Sequence, residues 1–99
     1  VPTLDEDTAV LAIEAVAATL GVVEQEPGFL QACRDECDRV GAMLLFDEVI
    51  TGFRLGRGGA TALSGVTPDV WAFGKIIGGG LPVGAFGGSR EVMGHVAPL

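Results

Sequence analysis

The chain has 99 residues, enough for one small domain, and with 48% apolar residues and a mean hydropathy of +0.48 it is expected to bury much of itself. Its formal net charge of −7 excludes nucleic acid and anionic membrane surfaces as expected partners, because both require a basic patch. No apolar run reaches the roughly 18 to 20 residues of a membrane span and no signal peptide is visible, so a cytoplasmic location is expected.

Residues 1–8 read as a polar connector carrying Asp5, Glu6 and Asp7. Ala9 to Val16 is apolar except for Glu14 and reads as a buried strand. An acid inside such a run has two readings: it stands at the strand's exit, where a site can use it, or it is paired with a partner. Ala17 to Glu26 leads out through Gly21, and Pro27 is expected to open a helix, since its missing N–H costs nothing there. Phe29, Leu30, Cys33, Cys37 and Val40 recur at helical spacing, with Arg34, Asp35, Asp38 and Arg39 on other faces and Gly41 where a C-terminal cap belongs. Cys33 and Cys37 stack one turn apart with the only histidine distant at His95, so they are expected to be free, buried or half-buried thiols and not a zinc site.

Ala42 to Phe46 is a continuous apolar run that fits a central parallel strand, ending abruptly in Asp47-Glu48. The strand, helix, strand order implies a parallel pair joined by a right-handed crossover. Open α/β sheets place ligands at the carboxyl ends of their strands, and Asp47 continues the pleat toward that place. Beyond Val49 to Phe53 lies a glycine-rich loop with Arg54 and Arg57, which either meet a substrate carboxylate or pair with nearby acids. A short helical turn at Thr61 to Val66, a strand at Pro68 to Phe73 and a last strand at Val83 to Gly87 follow. Glu91 to Val96 begins another segment. The chain starts at Val1-Pro2 without methionine and its apolar runs resemble strands buried on both faces. It is therefore expected to be an internal piece of a larger α/β protein.

Lys75 is the only lysine, set between Gly74 and two isoleucines. Apolar surroundings disfavour the charged amine and free it to attack a carbonyl; the plainer reading is a snorkelling lysine beside a glycine-rich turn. A phosphate loop needs Ser or Thr after the lysine, where Ile76 stands, and glycine where Asp69 stands. A dinucleotide fingerprint fails at Thr61 from Gly56 and Gly58, and at Val83 from Gly78 and Gly80. There is no Gly-x-Ser-x-Gly elbow and no metal-ligand cluster. What remains is an isolated lysine, an acid at a strand end 28 residues before it, and glycines that let backbone approach a flat ligand. Pyridoxal phosphate needs this set: a lysine to hold it and a carboxylate to keep its ring nitrogen protonated.

Phe46-Asp47-Glu48-Val49-Ile50-Thr51-Gly52-Phe53-Arg54, Gly65 to Asp69 and Gly74 to Gly88 together resemble the class III pyridoxal-phosphate aminotransferases, over about Leu11 to Leu99. The resemblance implies an α/β fold, mainly parallel sheet with crossover helices, belonging to the large domain of a fold-type I transferase that uses pyridoxal 5'-phosphate. Residues 1–99 would be part of that domain, with the phosphate-binding segment upstream and the small domain downstream. It implies that Lys75 is the catalytic lysine, that Asp47 partners the pyridine nitrogen, and that Val49 packs on one ring face. Thr19 stands where the family carries an asparagine bonded to the cofactor's phenolic oxygen, and the surrounding Glu14 to Gly21 lacks the family's proline and first glycine. Within the family the wording is nearest to the aminomutases, implying isomerisation of glutamate-1-semialdehyde to 5-aminolevulinate for tetrapyrrole synthesis. An intermolecular transaminase with a small amino or carbonyl substrate is the alternative, and a non-catalytic isolated chain is a third. A homodimer is implied in either enzyme.

Overall fold

Leu44 and Phe46 are fully buried while Met43, Leu45 and Asp47 are only half-buried, in the computed structural model that describes residues 3–96. The strand they form therefore turns one face to the core and the other to a half-open surface. In chain order the elements are strands β1 (Val10–Ile13), β2 (Val16–Ala17) and β3 (Val23–Glu24), helix α1 (Phe29–Val40), strand β4 (Met43–Asp47), helix α2 (Gly59–Ser64), strands β5 (Val70–Phe73) and β6 (Ala85–Gly88), and helix α3 (Arg90–Met93). Short 3₁₀ turns occupy Ala18–Leu20 and Lys75–Gly78. The main sheet runs β1-β4-β5-β6, with β1 and β5 parallel to β4 and β6 antiparallel at the edge; β2 and β3 form a separate two-stranded ribbon. The expected α/β architecture with a mainly parallel sheet is the one found.

Helix α1 follows its predicted periodicity. Cys33 and Cys37 are fully buried against Leu44, Phe46 and Ala42, and burial raises both thiols above their ordinary pKa. They remain free, as expected. Gly41 caps the helix in the left-handed region at φ 79°, its N–H donating to the Cys37 carbonyl. The helix opens at Phe29 and not at Pro27, because Gly28 between them is left-handed at φ 84° and Phe29 N–H closes a turn on the Glu26 carbonyl at 3.0 Å.

A single strand over Ala9 to Val16 is not formed. The run breaks after Ile13, because the Glu14 carboxylate accepts from Thr19 and the Glu14 carbonyl from Gln25 Nε2 at 3.2 Å, which turns the chain out of the sheet. Val16 and Ala17 stay buried but pair with β3.

Two polar ties fasten this frame. At the amino-terminal edge, Asp69 Oδ2 accepts the Leu44 N–H at 2.8 Å and pairs with Arg34 at 2.9 Å, joining β4, α1 and the start of β5. At the start of the chain, the Glu36 carboxylate accepts the Leu4 N–H at 3.1 Å, while Arg39, paired with Glu36 at 2.6 Å, donates to the Leu4 carbonyl at 2.9 Å. The Arg39 guanidinium holds the Glu36 carboxyl down at about 2.

Asp69→Ala leaves the Leu44 N–H without its acceptor and removes one of the two carboxylates paired with the largely buried Arg34 guanidinium, which keeps Asp38, so a loss of about 1–3 kcal/mol in unfolding stability is expected, measured as a lower urea midpoint. Because the folded carboxyl of Glu36 titrates below its ordinary value of 4.5, its contribution is present above that value and disappears as pH falls toward about 2. Amide exchange at Leu4 should accelerate, relative to the intrinsic rate, over that window. In Glu36→Gln this pH response should be absent.

Candidate active site

Three charged side chains stand at the carboxyl ends of three adjacent parallel strands: Glu14 just beyond β1, Asp47 closing β4, and Lys75 two residues beyond β5. The register sets their alignment. Ile13 lies opposite Phe46, which brings Glu14 abreast of Asp47, and Asp47 itself lies opposite Ala72. Even-numbered Ala12 and odd-numbered Leu45 are partners, so Glu14 and Asp47 follow the same, half-open face.

Asp47 is held by the turn it begins. Its Oδ1 accepts the Val49 N–H at 3.0 Å, Glu48 N–H bonds the Ala72 carbonyl at 2.9 Å, and Gly52 N–H returns to the Glu48 carbonyl at 2.8 Å. Oδ2 has no partner among the described residues and is free to accept a proton-bearing nitrogen. Val49 packs on the segment that carries the lysine: a Cβ at Gly74 would lie 3.1 Å from Val49 Cγ1. The space left by that glycine is thus filled by Val49.

Lys75 opens its 3₁₀ turn with φ 46°, after an extended Gly74. It is exposed, as is Ile76 at 45%. Of the two readings of its surroundings, an apolar enclosure is not present among the described residues. Thr19 is also exposed. Its hydroxyl donates to Glu14 Oε1 and its N–H to Oε2 at 3.2 Å, so its one side-chain proton is directed at Glu14. These bonds, the hydroxyl's foremost, lower the Glu14 carboxyl below its ordinary value, and the Lys75 charge adds to the effect. Both readings of Glu14 are met in part: it stands at the strand's exit, and its carboxylate is paired with Thr19.

Arg54 and Arg57 are exposed and make no ion pair among the described residues. Arg57 lines a small cavity of about 170 Å³ with Glu48, Trp71 and Phe73. Phe53 beside them is left-handed at φ 64° and leans on Phe73 at a ring separation of 5.7 Å. Larger grooves of about 410 and 640 Å³ lie elsewhere, the second at the opposite edge of the sheet around Met43 and Asp69. Depth alone does not mark the site; the convergence of charged groups does.

Sequence reading assigned Asp47 and left Glu48 without a role. The pleat sends Glu48 to the core side, where it is 2% exposed and accepts from Ala60 N–H at 2.5 Å, Thr61 Oγ1 at 3.0 Å and Thr51 Oγ1 at 3.1 Å. Thr61 Oγ1 in turn accepts from Trp71 Nε1 at 2.8 Å. The alternation Leu44, Phe46, Glu48 was the signal that could have placed it.

A mainly parallel sheet with a lysine beyond one strand and an acid closing its neighbour agrees with the arrangement that the class III resemblance implies. The family model described as Aminotransferase class-III matches residues 2–99, and the chain belongs to that family. It is 59% identical over 91 residues to a glutamate-1-semialdehyde 2,1-aminomutase of Syntrophobacter fumaroxidans, covering 92% of this chain and 21% of that protein. It is 56% identical over 93 residues to one of Nitratidesulfovibrio vulgaris, covering 94% and 22%. The chain thus spans about a fifth of these relatives. Among solved structures, an omega-transaminase from Sphaerobacter thermophilus superposes with TM-score 0.83 at 48% identity, over 90% of this chain and 20% of that one. A transaminase with PLP bound gives 0.86 at 36% identity, over 94% and 22%. A beta-phenylalanine aminotransferase from Variovorax paradoxus gives 0.86 at 41% identity, over 93% and 21%.

Glu48→Ala leaves three donors facing a cavity and is expected to cost more than the ~1–3 kcal/mol of a single unsatisfied group, read by chemical denaturation. Gly59→Ala should also destabilise, since a Cβ there collides with the Glu48 carboxylate and its φ of +57° is left-handed.

Proposed function

We propose that this chain is a section of the pyridoxal-phosphate-binding large domain of an aminomutase that isomerises glutamate-1-semialdehyde to 5-aminolevulinate. The observation that carries the reading is the strand register, which sets Lys75 and Asp47 beyond neighbouring parallel strands at the sheet's carboxyl edge. The high identity to two aminomutases over nearly the whole chain supports the choice of substrate.

The residues fit the cofactor. Asp47 keeps one carboxylate oxygen free while the other is anchored, which suits an acceptor for a protonated ring nitrogen. Val49, held by Asp47 and packed against Gly74, would pack on the ring. Lys75 is an accessible amine able to hold the cofactor's carbonyl carbon through Nζ. When bound, pyridoxal phosphate supplies a ring that takes up electrons from a substrate carbon. Asp47 would keep the ring nitrogen protonated, and Lys75 Nζ would accept a proton from one substrate carbon and return it to another. The phosphate-binding segment and small domain belong to the remainder of the full-length protein, which we take to be a homodimer in the cytoplasm. The isolated chain should bind cofactor weakly, since that phosphate anchor lies outside it.

A second reading, an intermolecular transaminase, is favoured by the structural likeness to the omega-transaminase and the beta-phenylalanine aminotransferase. The full-length protein incubated with glutamate-1-semialdehyde alone separates the two. Formation of 5-aminolevulinate without an added amino donor or acceptor supports the aminomutase; dependence on a second substrate replaces it with the transaminase. In the same assay Lys75→Ala should lower turnover by about 10³-fold or more and abolish the visible absorbance of lysine-bound cofactor. Asp47→Ala should lower turnover by about 10²-fold or more with that absorbance retained.

A further inference from the structure

Glu48 is a buried carboxylate to which the proposed chemistry gives no task, although it directly follows the acid that has one. It forms no ion pair among the described residues and accepts instead from Ala60 N–H, Thr51 Oγ1 and Thr61 Oγ1. An apolar side chain would fill the same space without the cost of desolvating a charge, so packing alone does not account for it. Its backbone is as fixed as its side chain. The Glu48 N–H donates to the Ala72 carbonyl on β5 at 2.9 Å, and the Glu48 carbonyl accepts the Gly52 N–H at 2.8 Å. That carbonyl shares one planar peptide with the Val49 N–H, the group that donates to Asp47 Oδ1 at 3.0 Å. The plane that orients Asp47 is thus anchored on its other side by Gly52, and the ψ of Glu48 helps to set it. The carboxylate ties the same residue to the start of α2 and, through Thr61 Oγ1, which accepts from Trp71 Nε1 at 2.8 Å, to β5.

We propose that Glu48 is a positioning residue for Asp47: its buried, hydrogen-bonded carboxylate fixes the turn whose Val49 N–H holds Asp47 Oδ1, so that Asp47 keeps one oxygen anchored and the other available at the half-open face. The inference rests on the reading of Asp47 as the partner of the cofactor's ring nitrogen. An acid already held in its binding orientation gives up little freedom when it takes that partner. The support therefore registers in cofactor affinity as well as in turnover.

The test is a double-mutant cycle in the full-length protein, read as affinity for pyridoxal phosphate, titrated by the absorbance of lysine-bound cofactor, and as turnover in the assay above. Glu48→Gln keeps the shape of the side chain but turns one acceptor into a donor, and should weaken cofactor binding and lower turnover by about 5-fold each. Introduced into Asp47→Ala, the same substitution should change either quantity by less than about 1.5-fold, because its effect passes through a carboxylate no longer there. Thr61→Val removes a donor to Glu48 from a different element; it should act in the same direction by about 3-fold and be equally silent in Asp47→Ala. Equal losses with and without the Asp47 carboxylate overturn the proposal, since loosened packing alone produces that result. So do unchanged affinity and turnover in Glu48→Gln. If Glu48→Gln does not fold, Thr61→Val decides by the same cycle, with equal losses or no loss counting against the proposal. An Asp47→Ala protein that binds cofactor and turns over like the wild type refutes instead the underlying assignment of Asp47.

Discussion

The pleat of β4 is the constraint on which the rest depends. Leu44 and Phe46 must face α1 to complete a core with Cys33 and Cys37, and a strand's period of two then dictates the next two positions. Asp47 goes to the half-open face and Glu48 to the buried one. Adjacent acids of the same chemistry thus receive opposite environments with no further instruction. Slipping the strand by one residue would exchange them, burying Asp47 and exposing Glu48. Burial of Phe46 and Leu44, worth about 1.5–3 kcal/mol each, therefore also enforces which carboxylate is available for chemistry.

A buried carboxylate without a cation is costly unless donors surround it. Glu48 meets that condition with a backbone N–H and two hydroxyls, drawn from the turn after β4 and from the start of α2. Gly59 adjoins this arrangement because any side chain would occupy the carboxylate's place. Through Thr61 the network reaches the Trp71 indole on β5, the strand that leads to Lys75. The acid-bearing strand and the lysine-bearing strand are therefore coupled twice, by their ladder and by a polar bridge on the core side.

Much of this was legible in the chain. The 3.6-residue spacing of Phe29 to Val40, the apolar run into Asp47 and the Gly74 to Gly88 stretch led to the helix, the central strand and the lysine loop, because each is decided by local pattern. What failed was decided by contacts distant in sequence or by conformations that composition does not encode. The strand through Glu14 broke because Thr19 and Gln25 bond back to that residue. Apolar surroundings for Lys75 were one reading of its neighbours in sequence, whereas in the fold it opens a 3₁₀ turn and is exposed. Glu48 was legible in principle from alternation, but its donors, from Thr51 to Thr61, required the fold.

The backbone of Lys75 shows how such a site is kept in place. A non-glycine residue at φ 46° costs of order 1–3 kcal/mol, so the surrounding structure must hold it there. Gly74 supplies the extended step before it, tightly backed by Val49, and the turn closes through Ile77 N–H to the Gly74 carbonyl at 3.3 Å and Gly79 N–H to Ile76 at 3.1 Å. Each such bond is worth about 1 kcal/mol net, and the antiparallel pairing of β5 with β6 adds support on the far side. The strain and the bonds that oppose it are of similar size, so the lysine's direction depends on the integrity of the glycine loop as a whole. A lysine in a relaxed conformation would need less support, but the chain would then leave Gly74 in another direction and could not close this turn on its carbonyl.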